Sequence, residues 1–424
     1  MPKIYVRSYG CSANTADAEI AKGLLKEKGY KLAQTPANSD LNILLTCIVK
    51  TPTETKITKR VKRLYESGKP LIVAGCMPKA MQSHVEQMAP MASLVGPDDI
   101  EYIVEAVEKT LLGEKVVYLE GEPTERTCLP RVRANQLVHI APICSGCLGN
   151  CSYCIVKHAR GRLCSFPADK IVNDVREAVA DGCREVWVTA EDAAAYDYDG
   201  TNLPILLDEI TGVEGGFRVR VGMMTPNSAL PVLDELIESY RNEKVYKFLH
   251  VPVQSGNDQV LRNMRRRYTV DEFRELVTKF RAAHEGLGVS TDIICGFPGE
   301  TEEQFQDSLD LIRWLRPDVL NISRYWERPG TEAAAMSGRL HGRETKARSR
   351  RLTKIWKKLS VETGKRWLGW EGMILLDEIG RDGTKVGRNY AYKAVAVDTD
   401  AKLGEFIQVR VTGAGIGFLE AEIA

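Results

Sequence analysis

The sequence predicts an α/β chain in three parts: an open parallel sheet with crossover helices, a complete or partial (β/α) barrel, and a small antiparallel β-barrel. Three observations predict it. Short apolar strands alternate with helical patterns over residues 1–125, five or six further strand–helix units follow, and the last sixty or so residues switch to two-residue alternation broken by turns. At 424 residues the chain is too long for one ordinary core and suggests roughly two to four domains.

In the first part, KIYVRSY, a helix near Asp17 to Lys28, LNILLTC, a helix near Thr53 to Glu66 and PLIVAGC give strand, helix and strand at the spacing of a parallel sheet. A loop holding Pro130 leads to the second part, residues 135–335, with candidate strands EVWVTAE, FRVRVGMM, KFLHVPVQ, LGVSTDIICGF and DVLNISRY. Helical stretches such as ADKIVNDVREAVADG and VDEFRELVTKFRAAHEG lie between them. A barrel of this kind works at the C-terminal ends of its strands, and the unusual residues fall there. Residues 336–366 form a charged connecting helix, in which Leu352, Ile355, Trp356 and Leu359 line one face at i, i+3, i+4 and i+7. Residues 367–424 alternate and turn, and the Asp-Gly of GRDGTK marks a hairpin.

Net charge is +1, yet it is unevenly spread. From Ser337 to Arg366 the chain carries eleven Lys and Arg against Glu344 and Glu362, so a neutral average hides a basic face. No run of eighteen apolar residues occurs and the start has no signal-peptide core, so a soluble, cytoplasmic protein without a membrane partner is expected. Eleven cysteines in a reducing compartment point to metal binding or catalysis rather than disulfides.

The stretch CLGNCSYC places Cys147, Cys151 and Cys154 on one loop. Three thiolates can hold a 4Fe-4S cluster and leave its fourth iron open for a ligand. A zinc knuckle is the alternative, since Cys144 and Cys147 form one C-x2-C and Cys151 and Cys154 another. Zinc pairs of this type are usually separated by roughly twelve to twenty residues, so the cluster is preferred and Cys144 is a spare thiol. Cys11, Cys47 and Cys76 each end or directly follow an apolar strand of the first part. A parallel sheet brings such positions together at its carboxyl edge, which suits a second three-Cys cluster; the plain alternative for each is a buried core thiol. Cys128, Cys164, Cys183 and Cys295 have no ligand spacing, and the six histidines, His158 and His250 included, are read as structural.

With those residues in view, the sequence resembles the methylthiotransferase family of radical S-adenosylmethionine (SAM) enzymes. The resemblance runs through YGCSANTADAE, LTCIVKTPTETK, VAGCMPK, CLGNCSYCIVKHARGRLCS, HVPVQSGNDQVLRNMRRRYT, TDIICGFPGET and RPGTEAA. RVRVGMM, TAEDAAAYD, MRRRYTVDEF and NISRYWERPGTEAAAM look most like the archaeal and eukaryotic type. That type adds a CH3S group to N6-threonylcarbamoyladenosine at position 37 of transfer RNA. Thr225, Ala194 and the run YWER depart from its pattern.

The resemblance implies two 4Fe-4S clusters, one on Cys147, Cys151 and Cys154 that binds SAM and an auxiliary one on Cys11, Cys47 and Cys76 that carries sulfur. A radical cut from SAM would remove a hydrogen from the substrate; a second SAM would methylate the sulfur to be delivered. It further implies that residues 1–125 are the methylthiotransferase domain, 135–335 a radical SAM barrel and 367–424 a TRAM-like RNA-binding module. Implied SAM contacts are Tyr153, Glu191, Asp192, Gln254, Ser255, Ile293, Gly296 and Pro298. Glu300, beside them, is read as a helix cap. Expected partners are tRNA, an electron donor and a sulfur source. For RNA, Arg348, Arg350, Arg351, Lys354, Lys357 and Lys358 of the basic helix are the candidates, with Arg262, Arg265, Arg266 and Arg267 adding to the field and Arg388, Tyr390 and Tyr392 offering a cation beside aromatics. Two other readings remain: the same chemistry on isopentenyl-adenosine or on a ribosomal-protein side chain, and a non-catalytic iron-sulfur RNA-binding protein.

Overall fold

Strands with apolar residues on both faces need cover on both, and the first sheet shows this. In the computed structural model, which describes residues 1–49, 51–380 and 383–424 without the side chains of Thr51 and Pro52, Leu41–Thr46 and Leu71–Gly75 are buried throughout. We label the six strands β1 (Lys3–Ser8), β2 (Lys31–Leu32), β3 (Leu41–Thr46), β4 (Leu71–Gly75), β5 (Ser93–Val95) and β6 (Val117–Tyr118). They are parallel in the order β2-β1-β3-β4-β5-β6. Strand parity divides the cover. Ile43, Leu45, Ile72 and Ala74 pack against helices Ser12–Glu27 and Ile103–Leu111, whereas Leu44 and Val73 face Thr51–Glu66 and Gln82–Met88.

The connecting loop is pressed onto helix Ser12–Glu27, and a Cβ at Gly23 would stand 1.9 Å from the Pro130 carbonyl oxygen. Only glycine permits that approach. Six parallel strands then form an open, partial barrel. Glu185–Thr189 lies between Val138–Pro142 and Arg218–Val221, Gly288–Cys295 lies between Phe248–His250 and Val319–Arg324, and a Val219–Val245 bridge links the two halves. The helix Gly342–Gly364 packs on the last strand, where Leu352 and Leu359 enter the barrel's core.

The terminal residues close a five-stranded barrel. It is not wholly antiparallel, because Ala394–Val397 runs parallel to Phe418–Ile423. The expected hairpin joins Glu371–Ile379 to Lys385–Arg388; Gly383 takes φ +81° there, and Asp382 of the Asp-Gly pair lies outside the described residues. This barrel docks on the N-terminal ends of the larger barrel's strands. Lys393 pairs with Asp318 at 2.7 Å with both side chains buried, the Lys247 amide donates to the Tyr390 carbonyl, and the Tyr392 hydroxyl donates to Glu185 at 3.0 Å. Among the described residues no helix is long and apolar enough to cross a membrane.

Candidate functional site

Cys11, Cys47 and Cys76 follow β1, β3 and β4, which are neighbours in the sheet. A Cβ at Gly10, whose φ is +133°, would lie 2.6 Å from Cys47 Cβ, so the absent side chain lets the Cys11 loop close on Cys47. Asn14, fully buried, ties the three loops together. Its Nδ2 donates to the carbonyls of Tyr9 and Thr46, and its Oδ1 faces the Cys76 thiol at 3.6 Å and accepts from Arg160 at 3.1 Å. Burial pushes the Cys76 thiol up to about 12 and raises Cys47, while the nearby Arg160 guanidinium pulls both the other way.

The second thiol set lies on the loop after Val138–Pro142. Gly146, at φ +75°, shapes that loop, since a Cβ there would meet the Arg162 carbonyl oxygen at 2.0 Å. Each sulfur has its own donors. The Gly149 amide donates to Cys147 Sγ at 3.2 Å, Arg266 donates to Cys151 Sγ at 3.3 Å, and the amides of Val156 and Lys157 serve Cys154. Burial raises Cys147 to about 11. Sulfurs ringed by N–H groups suit an anionic cluster, which thiols bind as thiolates. Among the described residues no group of three His, Cys, Asp or Glu side chains is placed to hold a single metal ion. The N–H groups around Cys147, Cys151 and Cys154, and the Arg160 guanidinium near Cys47 and Cys76, are the surroundings an anionic group needs. Cys144 is packed in the barrel core.

Arg160 stands between the two thiol sets. Its Nη2 meets Asp17 at 2.6 Å and its Nε approaches Glu191 at 3.5 Å, while Arg126 joins Asp17 to Asp98 at 2.6 Å on each side. The chain thus links the sheet domain to the barrel through buried charges.

Beside the second thiol set opens a cavity of about 350 Å³, walled by Tyr153, Cys154, Gln254, Asp292 and Ile294 together with Arg324 and Trp326. Of the expected SAM contacts, Tyr153 and Gln254 line it. The others do not. Glu191 turns to Arg160; Asp192 accepts from Thr225 and Ser228; Ser255 is buried beside Ser308. Ile293 belongs to the helix-facing core, Gly296 donates to Glu300 at 2.7 Å, and Pro298 is buried. Strand parity explains Ile293, because its neighbours Asp292 and Ile294 take the inner face. His250, half-buried, lies 3.5 Å from Asp292.

The RNA candidates divide in the same way. Arg348 is buried against Glu300, Glu344 and Glu302, so Glu300 is an ion-pair partner as well as a neighbour of the cap. Arg388 pairs with Asp377, Tyr392 lies under Arg220 and Arg388, and Tyr390 packs with Trp367 and Trp370. Tyr392 and Tyr390 reach across to Glu185 and the Glu285 carbonyl of the larger barrel, and Arg388 is tied within its own barrel, so all three are half-buried. Arg351 pairs with Glu302, Lys358 approaches Glu362 and Arg265 meets Glu332. Arg262 and Arg267 are exposed. Arg350, Lys354 and Lys357 are exposed without an ion pair among the described residues, and Arg343 and Lys346, which the sequence reading left out, share their face at helical spacing. That stripe adjoins Ser349 and Thr353, which line the cavity.

A model described as the Radical SAM superfamily matches residues 141–312, and one described as Uncharacterized protein family UPF0004 matches residues 3–96. The chain is 42% identical over 427 residues to a probable threonylcarbamoyladenosine tRNA methylthiotransferase of Pyrococcus horikoshii, covering 100% of both. It is 35% identical to the threonylcarbamoyladenosine tRNA methylthiotransferase of Homo sapiens, covering 99% of this chain and 74% of that protein. In fold it is similar to the radical S-adenosylmethionine methyltransferase TsrM of Kitasatospora setae, a structure with cobalamin and a [4Fe-4S] cluster bound (TM-score 0.58, 14% identity, 78% and 77% covered).

Proposed function

The chain belongs to the threonylcarbamoyladenosine tRNA methylthiotransferase family, and from that premise we propose that it adds a CH3S group to C2 of N6-threonylcarbamoyladenosine 37 in tRNA. Full-length identity to these relatives carries the reading. When bound, SAM and the iron-sulfur groups supply hydrogen removal, sulfur and methyl.

This chain's residues do the holding and orienting. Cys147, Cys151 and Cys154 hold the SAM-binding cluster, with Arg266 and the Gly149 amide offsetting its charge. Cys11, Cys47 and Cys76 hold the auxiliary cluster. Tyr153 and Gln254, in the cavity wall beside Cys154, orient SAM. An electron donor and a sulfur source serve the two clusters, and the work is done in the cytoplasm, where tRNA is modified.

The test is to reconstitute the protein anaerobically, supply SAM, reductant and tRNA bearing N6-threonylcarbamoyladenosine, and follow the nucleoside by mass spectrometry. One hydrogen replaced by CH3S is expected. Modification of isopentenyl-adenosine tRNA instead would transfer the reading to the sister substrate.

The stripe of Arg343, Lys346, Arg350, Lys354 and Lys357 is the phosphate track that leads RNA to the cavity. Exchanging Arg350, Lys354 and Lys357 for Glu is expected to weaken tRNA binding and to flatten the slope of log affinity against log salt by about two to three. SAM cleavage without RNA stays at the wild-type level. An unchanged slope removes the track from the RNA path.

A further inference from the structure

The cavity wall contains a guanidinium with no assigned task. Arg324 ends the last strand of the open barrel, in register with Cys295, and is half-buried. It makes no ion pair or side-chain hydrogen bond with a described residue; it lies 4.6 Å from the centre of the Trp326 ring. A cation held on an aromatic face keeps the edge of its N–H fork free, and that edge matches a carboxylate bidentately. The other charged groups of the same wall are already engaged. Arg328 is paired with Glu54 and the Val49 carbonyl, and Asp292 accepts from Asn321 at 2.6 Å. Tyr325 also lines the cavity, but its ring packs on Phe297 and its hydroxyl is buried, with Glu327 and Arg339 as its charged neighbours. A free fork in that wall is a receptor for a planar anion.

Resting on the substrate reading above, we propose that Arg324, held on Trp326, forms a subsite for the threonyl carboxylate of the modified adenosine. Unmodified adenosine has no carboxylate, so the subsite makes the earlier threonylcarbamoylation a condition for methylthiolation. A reaction that attaches threonine through a carbamoyl link to the adenine amine must therefore precede this one.

Three anticodon stem-loops test it on the reconstituted full chain: one with N6-threonylcarbamoyladenosine, one with its carboxylate capped as the primary amide, and one with plain adenosine. Binding is read by fluorescence anisotropy, SAM affinity is measured separately, and product is read by mass spectrometry. The wild type is expected to bind the carboxylate loop roughly tenfold or more tighter than the amide loop. Arg324→Gln is expected to bind the carboxylate loop as weakly as the amide loop, with its affinity for the other two loops and for SAM unchanged. Arg324→Lys, which keeps the charge but not the fork, should retain part of the preference and serves if the Gln variant does not fold.

A wild type without preference, or a Gln variant that keeps it, overturns the subsite. An equal loss on all three loops assigns Arg324 to a backbone phosphate, and a loss confined to SAM assigns it to the carboxylate of the methionyl group; either overturns the proposal while leaving the substrate reading intact. No methylthio product from the wild type on the carboxylate loop overturns the substrate reading itself, and the subsite falls with it.

Discussion

The variant Cys11→Ala/Cys47→Ala/Cys76→Ala is expected to keep cleaving SAM while forming no methylthio product. Its iron content should fall from about eight per chain to about four. The geometry separates the two losses. These thiols follow three strands of the first sheet, whereas Cys147, Cys151 and Cys154 share one loop of the barrel with their own donors. Alanine is smaller than cysteine and apolar, so Cys47 and Cys76, both nearly fully buried, can be replaced without placing an unsatisfied polar group in the sheet. The reciprocal variant, with all three barrel thiols changed, should retain about four irons and lose SAM cleavage. About four irons in both the wild type and the sheet variant would remove the auxiliary cluster, and sulfur insertion with it.

Asp17→Asn is expected to produce the largest fall in stability of any single conservative change, about 3–5 kcal/mol. Asp17 has a side chain only 2% exposed and accepts from Arg126 and Arg160 at 2.6 Å each. Removing its charge leaves two guanidiniums in a dry interface with Asp98 and Glu191 as the remaining counter-charges. The loss should appear as a lower calorimetric unfolding temperature and faster amide exchange in helix Ser12–Glu27. An unfolding temperature equal to that of the wild type would show that water already screens the cluster.

Local signals made the strands and thiols legible. LNILL and LIVAG are buried at every position, and apolar at all but Asn42, because helices cover both faces, and the close-spaced cysteines needed no tertiary information. The Asp17–Arg160 contact spans 143 residues of sequence, which no local pattern encodes. Arg348 was a readable miss. It lies one turn before Leu352 and so on the apolar stripe, yet its charge drew it into the basic face; Glu300 accounts for its burial. Tyr392 was less readable, because the Arg220 and Glu185 that enclose it come from strands of another domain. In Gly288–Cys295 the motif was visible but its inner face was not, since period two allows either parity until a neighbour sets it.

The helix Gly342–Gly364 begins beside Gly296, where Thr345 packs, and near its end the Ser360 hydroxyl accepts from the Gly417 amide of the terminal barrel. Its 23 residues rise about 34 Å. The helix is thus a shared member as well as a strut: from its middle Ser349 and Thr353 supply part of the cavity wall, and from its end Ser360 seats the terminal barrel. The wall and that barrel therefore cannot shift independently of each other.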